Sequence, residues 1–376
     1  MIPRSILLFE NSIKTKATRK LYNYALKKFI EYYKLKSIES ILEIPDKKLQ
    51  EMLEDYLFYF KAKNLKTPTI RSYFSAIELL CIVNDKNGIN FKKIHKMFPP
   101  NVKKAGRDSY STNDVQEMLN HAKELRTLVI LHILASTGMR VGALPELKLR
   151  DLLDMPNECM ALHIYEDSDE EYWGFLTPEA SKIVKEYLDK RVKDGETSDS
   201  SNPLIRERYS IGIAKPRHIS QPNIRVIIHR LLKITPLTRT KEGNRFSIME
   251  AHGMRKRFNT ILKLNKDISP ASTEKLMGHK INLDSVYFTP TREELFDEFK
   301  KAIPELTVDN STRKQFELDK VTKEKSDLEN VNLVLKQTII EKDEIAKKYR
   351  DVMIQPITDD TINEKIEYFL KKRKEL

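Results

Sequence analysis

Five residues in four separated segments carry side chains suited to one reaction. They are Arg140 in ASTGMRVGAL, His252 and Arg255 in AHGMRKRFN, His279 in LMGHKI and Tyr287 in SVYFTP. Arg140 follows the glycine that ends an apolar run, where a side chain is easily presented from a loop. His252 and Arg255 are three apart, so on a helix they share a face. His279 follows a glycine, and Tyr287 lies eight residues further on, near a proline that would stop a helix. Taken singly, each feature is commonplace: an arginine after a glycine is usually a surface charge, and a tyrosine is usually packing. Together they supply two fixed cations, two imidazoles and a phenol.

That set suits phosphoryl transfer on a nucleic-acid backbone. Phosphodiester oxygens gain negative charge as an oxygen attacks phosphorus, and guanidiniums bind such oxygens bidentately without losing their proton. A histidine can donate to the same oxygens or take the nucleophile's proton. A tyrosine hydroxyl near guanidiniums and a base becomes a competent nucleophile. The sequence shows no Asp/Glu/His cluster with metal-ligand spacing, so the expected reaction needs neither metal nor cofactor.

The charge points to the same partner. The 376 residues carry 67 Lys+Arg against 55 Asp+Glu, a net +12. Residues 1–106 hold 21 basic and 10 acidic side chains, while the remaining 46 and 45 nearly cancel. A local excess of this kind is the footprint of a polyanion, and a lysine-rich solubility surface is the plainer alternative. Two cysteines make no disulfide framework, no run of about 18 apolar residues exists, and the N-terminus lacks a small-residue cleavage site. These features suggest a cytoplasmic, nucleoid-associated protein with no membrane partner.

The elements that must position these residues are mostly helical. Amphipathic spacing predicts helices in TKATRKLYNYALKKFIEYYKL, with Thr15 or Thr18 as cap, in DKKLQEMLEDYLFYFKAKN, with Asp46 as cap, and in TPTIRSYFSAIELLCIVND. Residues 101–114 read as a linker, and helices resume over 114–125, 126–137, 178–193, 221–233 and 252–265. CMALHIYED and EYWGFLTPE, on either side of an acidic turn, form a hairpin signal, and GETSDSS at 195–201 reads as a mobile loop. From Leu318 an apolar seam alternates steps of three and four through Val321, Leu328, Leu335, Ile339 and Tyr349, interrupted by Lys325, Asn332 and Lys342. A short coiled coil is expected there, with a lone helix as the alternative, and an amphipathic helix with a basic end follows. The expected fold class is mainly α (α+β), in three parts. Residues 1–106 are a helical DNA-binding bundle, 107–305 a helical catalytic domain with a small antiparallel sheet, and 306–376 a coiled-coil-like tail.

At these same residues the sequence resembles the tyrosine recombinase (phage integrase) superfamily. The runs STGMRVGALPELKLRDL, HGMRKRFNT and LMGHK…VYFTPT carry the resemblance, which is greatest to the archaeal integrase branch. It covers about residues 15–300. It implies an active site of Arg140, His252, Arg255, His279 and Tyr287, and a core-binding domain in the N-terminal bundle. Lys14, Lys16, Arg19, Lys20, Lys27 and Lys28 in the first of that bundle's segments, with Lys66, Thr69 and Arg71 in another, are its candidate contacts to double-stranded DNA. It further implies a 3′-phosphotyrosyl intermediate, no cofactor, and a homo-tetramer on recombination-site DNA. One departure stands out: the family carries a catalytic lysine in the hairpin turn, where this chain has Asp167, Ser168, Asp169, Glu170 and Glu171. The readings to separate are an active recombinase, a DNA-binding protein of this fold without turnover, and a type IB topoisomerase-like enzyme.

Overall fold

The computed structural model describes residues 2–100, 108–197, 199–208, 216–242, 245–279, 287–353 and 359–374. The chain divides into two compact units, Met1–Lys104 and Ala105–Leu376.

The first unit is all helical: α1 (Arg4–Asn11), α2 (Lys16–Tyr33), α3 (Glu39–Glu43), α4 (Asp46–Ala62), α5 (Thr67–Val83) and α6 (Phe91–Lys96). Thr15 caps α2 by accepting from the Thr18 amide at 3.1 Å. Asp46 does not cap α4. Pro45 holds that place, and Asp46 becomes the first helical residue, its carboxylate 2.8 Å from Lys86 Nζ. The interior is aromatic, with Phe29, Tyr56, Phe60 and Phe74 buried together and ring centroids 4.2 Å apart for Tyr56 and Phe60. The periodicity did not announce α1, α3 and α6, which are too short to show a repeat. Each is fixed instead by one or two buried residues, such as Phe9, Ile41 and Phe91.

In the second unit, α7 (Thr112–His121) starts at a reciprocal cap between Ser111 and Asp114. The 101–114 linker falls largely on 101–107, outside the described residues. Next comes α8 (Leu125–Thr137), buried continuously from Val129 to Thr137. A helix apolar on every side belongs in the middle of a core, and α8 packs against α9 (Pro178–Lys193), α11 (Glu250–Leu264) and the sheet. That sheet is antiparallel in the order β1-β2-β3: Leu152–Asp154, Met160–Ile164 and Tyr172–Leu176. Its second pair is the expected hairpin, with Ile164 opposite Tyr172. β1 was not anticipated, being three residues long.

α10 (Gln221–Ile234) follows a capping Ser220, and the two-residue strands β4 (Lys241–Glu242) and β5 (Arg245–Phe246) precede α11. α12 (Pro270–Leu276), α13 (Arg292–Lys300) and α14 (Ile303–Leu306) close a second core around Phe175, Phe258, Phe296 and Phe299. The 195–201 segment is not the free loop its composition suggests. The Ser200 and Asn202 carbonyls accept from Arg150 and Leu149 at 3.0 and 2.9 Å, and Glu196 pairs with buried Arg191.

Beyond the second core runs α15 (Asn310–Met353), 44 residues in one helix, then α16 (Asp359–Lys374). Its root is fixed: the Glu179 carboxylate accepts from the Val308 and Asp309 amides at 2.7 and 3.0 Å. The seam residues Val321, Leu328, Leu335, Ile339 and Tyr349 are all more than half exposed, so the seam is not covered by the second core, against which only Phe316 near the helix root packs among the described residues. No described helix is long and apolar enough to cross a membrane.

Candidate active site

The site is built on the turn that ends α8. Gly138 adopts φ +58, and a Cβ there would lie 2.5 Å from the Phe258 ring of α11, so only glycine allows so close an approach. Buried Met139 anchors the next residue, and Arg140 turns outward. Its Nη1 donates to Glu170 Oε2 in the acidic hairpin turn at 3.1 Å. That pair is open to solvent on both sides.

Arg255, in the second turn of α11, is 6% exposed. Nη1 donates to the Gly138 carbonyl at 2.7 Å, and Nη2 to the Met277 carbonyl at 2.6 Å. Nη2 also lies 3.0 Å from His279 Nε2. Burial first, with some repulsion from Arg140, holds its pKa below the usual guanidinium value, while the nearby Tyr172 phenol opposes that. Since an arginine N–H can only donate, His279 Nε2 must be the accepting nitrogen. Nδ1–H therefore donates to Glu274 Oε2 at 2.5 Å, which assigns the tautomer. Lys263 Nζ meets the other Glu274 oxygen at 2.7 Å. Burial alone would raise the Glu274 carboxyl, and its bonds to Lys263 and His279 outweigh that and keep it below its ordinary value. A chain of four groups, Lys263–Glu274–His279–Arg255, thus fixes the buried guanidinium.

His252, one turn before Arg255, is exposed. Partial desolvation of its ring, then the charges of Lys256 and Arg255, lower its pKa, so it stays neutral at neutral pH. Tyr287 is 82% exposed and touches none of the other four among the described residues. The structure therefore brings Arg255 to the turn that carries Arg140 and to His279, sets His252 one helical turn before Arg255, and leaves Tyr287 exposed. The segment leading to it, 280–286, lies outside the described residues.

Glu274 was not singled out from sequence, since its link to His279 depends on the turn at Gly278. There φ is +59, and a Cβ would meet the Tyr172 ring at 2.5 Å. Tyr172 is buried beside Arg255, and burial pushes its phenol up to about 12. Glu170 is legible only as one acid in an acidic turn. Its bond to Arg140 depends on the hairpin register.

In the first unit Lys14, Lys16, Arg19, Lys20, Lys27, Lys66, Thr69 and Arg71 are exposed, and Lys28 is half-buried and bonded to Glu31 at 2.7 Å. Tyr24 of α2 meets Tyr73 of α5 edge-on at 6.3 Å, with Lys28 over the Tyr24 ring. α2 and α5 thus share a surface strip of basic and aromatic side chains.

A mostly helical unit with a small three-stranded antiparallel sheet, its functional turn wedged between α8 and α11, has the fold of tyrosine recombinase catalytic domains. Residues 109–289 match the phage integrase family, a stretch that contains all five candidate residues. Among solved structures, the chain is similar to XerH site-specific recombinase bound to a palindromic difH substrate in a post-cleavage complex. That likeness has a TM-score of 0.51 and 20% identity, over 71% of this chain and 75% of that one. It is also similar to the Tn1549 transposon integrase (residues 82–397) in complex with circular intermediate DNA. Here the TM-score is 0.50 with 15% identity, over 79% of this chain and 99% of that one. At such identities these likenesses establish the fold. No curated protein matches the sequence.

Proposed function

We propose that the chain is a site-specific DNA recombinase that cuts and rejoins duplex DNA through a covalent tyrosine link. The observation that carries this reading is the pairing of Arg140 and Arg255 around the Gly138 turn, close enough for the Arg140 charge to disfavour that of Arg255. Cations are held together at such cost where an anion is to be bound. A phosphodiester fits, because its oxygens gain charge as phosphorus becomes five-coordinate. Tyr287, itself exposed, is the nucleophile. Its proton passes to neutral His252, its oxygen joins phosphorus, and the 5′ oxygen departs. The 3′-phosphotyrosyl link conserves the bond energy, so rejoining needs no nucleotide cofactor.

The basic and aromatic strip of α2 and α5 would hold the duplex through its phosphates. The exposed apolar seam of α15 would pair copies of the chain into the assembly that exchanges strands. A second reading, DNA binding without turnover, draws on Glu170 occupying Arg140 and on the exposure of Tyr287.

The experiment is covalent trapping. A duplex enriched from a random-sequence pool for binding to the full chain, nicked to release the cut fragment, should accumulate a protein–DNA adduct that resists denaturation. Tyr287→Phe should lose the adduct and keep binding, and that binding should weaken steeply between about 50 and 200 mM salt. Binding without any adduct from the wild-type chain would support the second reading instead.

A further inference from the structure

Breaking a phosphodiester leaves an alkoxide on the departing 5′ oxygen, too basic to leave quickly unless a proton reaches it. Few described groups around Arg140 and Arg255 could carry that proton. His279 has none to spare, since Nδ1–H is given to Glu274 and Nε2 accepts from Arg255. His252 is held neutral, a base rather than an acid. The Tyr172 hydroxyl is fully enclosed. Guanidiniums keep their protons, and the hairpin turn offers carboxylates, which only accept when ionised.

Among the described residues, Tyr165 is placed to carry it. It follows the last residue of β2 with φ +59, a left-handed backbone that a bulky aromatic rarely adopts, at a cost of about 1–2 kcal/mol. Its ring packs half-buried against the main core. Its hydroxyl lies 3.9 Å from where a Cβ on Gly142 would sit, over the loop that carries Arg140. Both Arg140 and Arg255 act on it electrostatically. We propose that Tyr165 donates the proton to the leaving 5′ oxygen in the strand transfer proposed above, on which this inference rests.

The step balances. As the phosphorus–5′ oxygen bond breaks, the Tyr165 O–H proton moves to that oxygen, giving a 5′-hydroxyl. The electron pair stays on the phenol oxygen as a phenolate beside two guanidiniums. In rejoining, the incoming 5′-hydroxyl returns its proton to that phenolate. Burial and Glu146 hold the free phenol above its ordinary pKa against the pull of Arg140 and Arg255, so it carries its proton at neutral pH.

The test is Tyr165→Phe in the full chain, with the enriched duplex made in two forms. One has the natural 5′ oxygen at the mapped cleavage step, the other a bridging sulfur there. A thiolate leaves without a proton, the thiol pKa being about 8.5. Cleavage of the oxygen duplex should fall about 100-fold or more, and cleavage of the sulfur duplex should stay near wild type. Equal slowing on both duplexes, or no slowing on either, would overturn the proposal. An adduct that survives Tyr287→Phe and vanishes in Tyr165→Phe would make Tyr165 the nucleophile, sinking both assignments. No adduct from the wild-type chain on either duplex would refute strand transfer itself, and the role of Tyr165 with it.

Discussion

Arg255 and Arg140 flank the same glycine turn and are held by opposite means. Arg255 is enclosed, and three of its five N–H donors go to the Gly138 and Met277 carbonyls and to a histidine that Glu274 orients in turn. Arg140 is open to water, and its one bond among the described residues goes to an exposed acid on the hairpin turn. The first is pre-organised: its position is set by the fold before any ligand arrives, and moving it would orphan two buried carbonyls. The second is exchangeable, because Glu170 offers Arg140 the same oxygen pair a phosphate would. The difference teaches how one site can be rigid and still admit a large anion. One cation fixes the geometry, and in the proposed reaction the other would be released by competition.

The largest test of this contrast is lysine at each position. Arg255→Lys leaves at least one buried carbonyl without a donor and should cost about 2–4 kcal/mol of stability, read as a lowered midpoint in denaturant unfolding. Cleavage should disappear with it, because an ammonium cannot reproduce the planar fork. Arg140→Lys should change stability by less than about 1 kcal/mol, as expected for an exposed pair. It should still lose most cleavage, since the bidentate contact to the reacting phosphate goes. Equal destabilisation by the two variants would break the distinction between a structural and an exchangeable guanidinium.

The two corners were also unequally legible in sequence. Arg140, His252, Arg255 and His279 could be named because glycines mark their turns and a three-residue spacing puts two of them on one helix face. The long helices were visible too, since their burial repeats at helical spacing: α2, α4, α5, α9 and α10 lie close to where periodicity put them. What could not be read was who holds each side chain. Arg255 is gripped by carbonyls of residues 138 and 277, which no local pattern connects. Tyr165 stands over Gly142 only because β2 pairs with β3 in one register. The hairpin departure from the family, five polar or acidic residues and no lysine, was plain in the sequence. Its consequence, an acid seated on Arg140, needed the structure.

The smallest expected effect concerns that acid. Glu170→Gln keeps the size and the hydrogen-bonding oxygen of the side chain and removes its charge. The pair is solvent-exposed, with side chains 42% and 60% accessible for Arg140 and Glu170, so its worth to the fold is about 0–1 kcal/mol and unfolding should not shift measurably. Its worth to DNA binding has the opposite sign. A carboxylate on Arg140 must be displaced by the incoming phosphate, and four further acids crowd the same turn: Glu166, Asp167, Asp169 and Glu171. Glu166 and Glu171 are already engaged, by Arg150 and His163 at 2.6 Å each, so removing Glu170 frees Arg140 with the rest of the turn in place. Affinity for duplex DNA should rise about two- to fivefold at low salt, with the gain fading as salt screens the lost repulsion. Cleavage by the bound complex should rise no more than binding does. A loss of affinity would instead show that Glu170 positions Arg140 for the phosphate rather than competing for it, and the exchangeable corner would then be as pre-organised as the buried one.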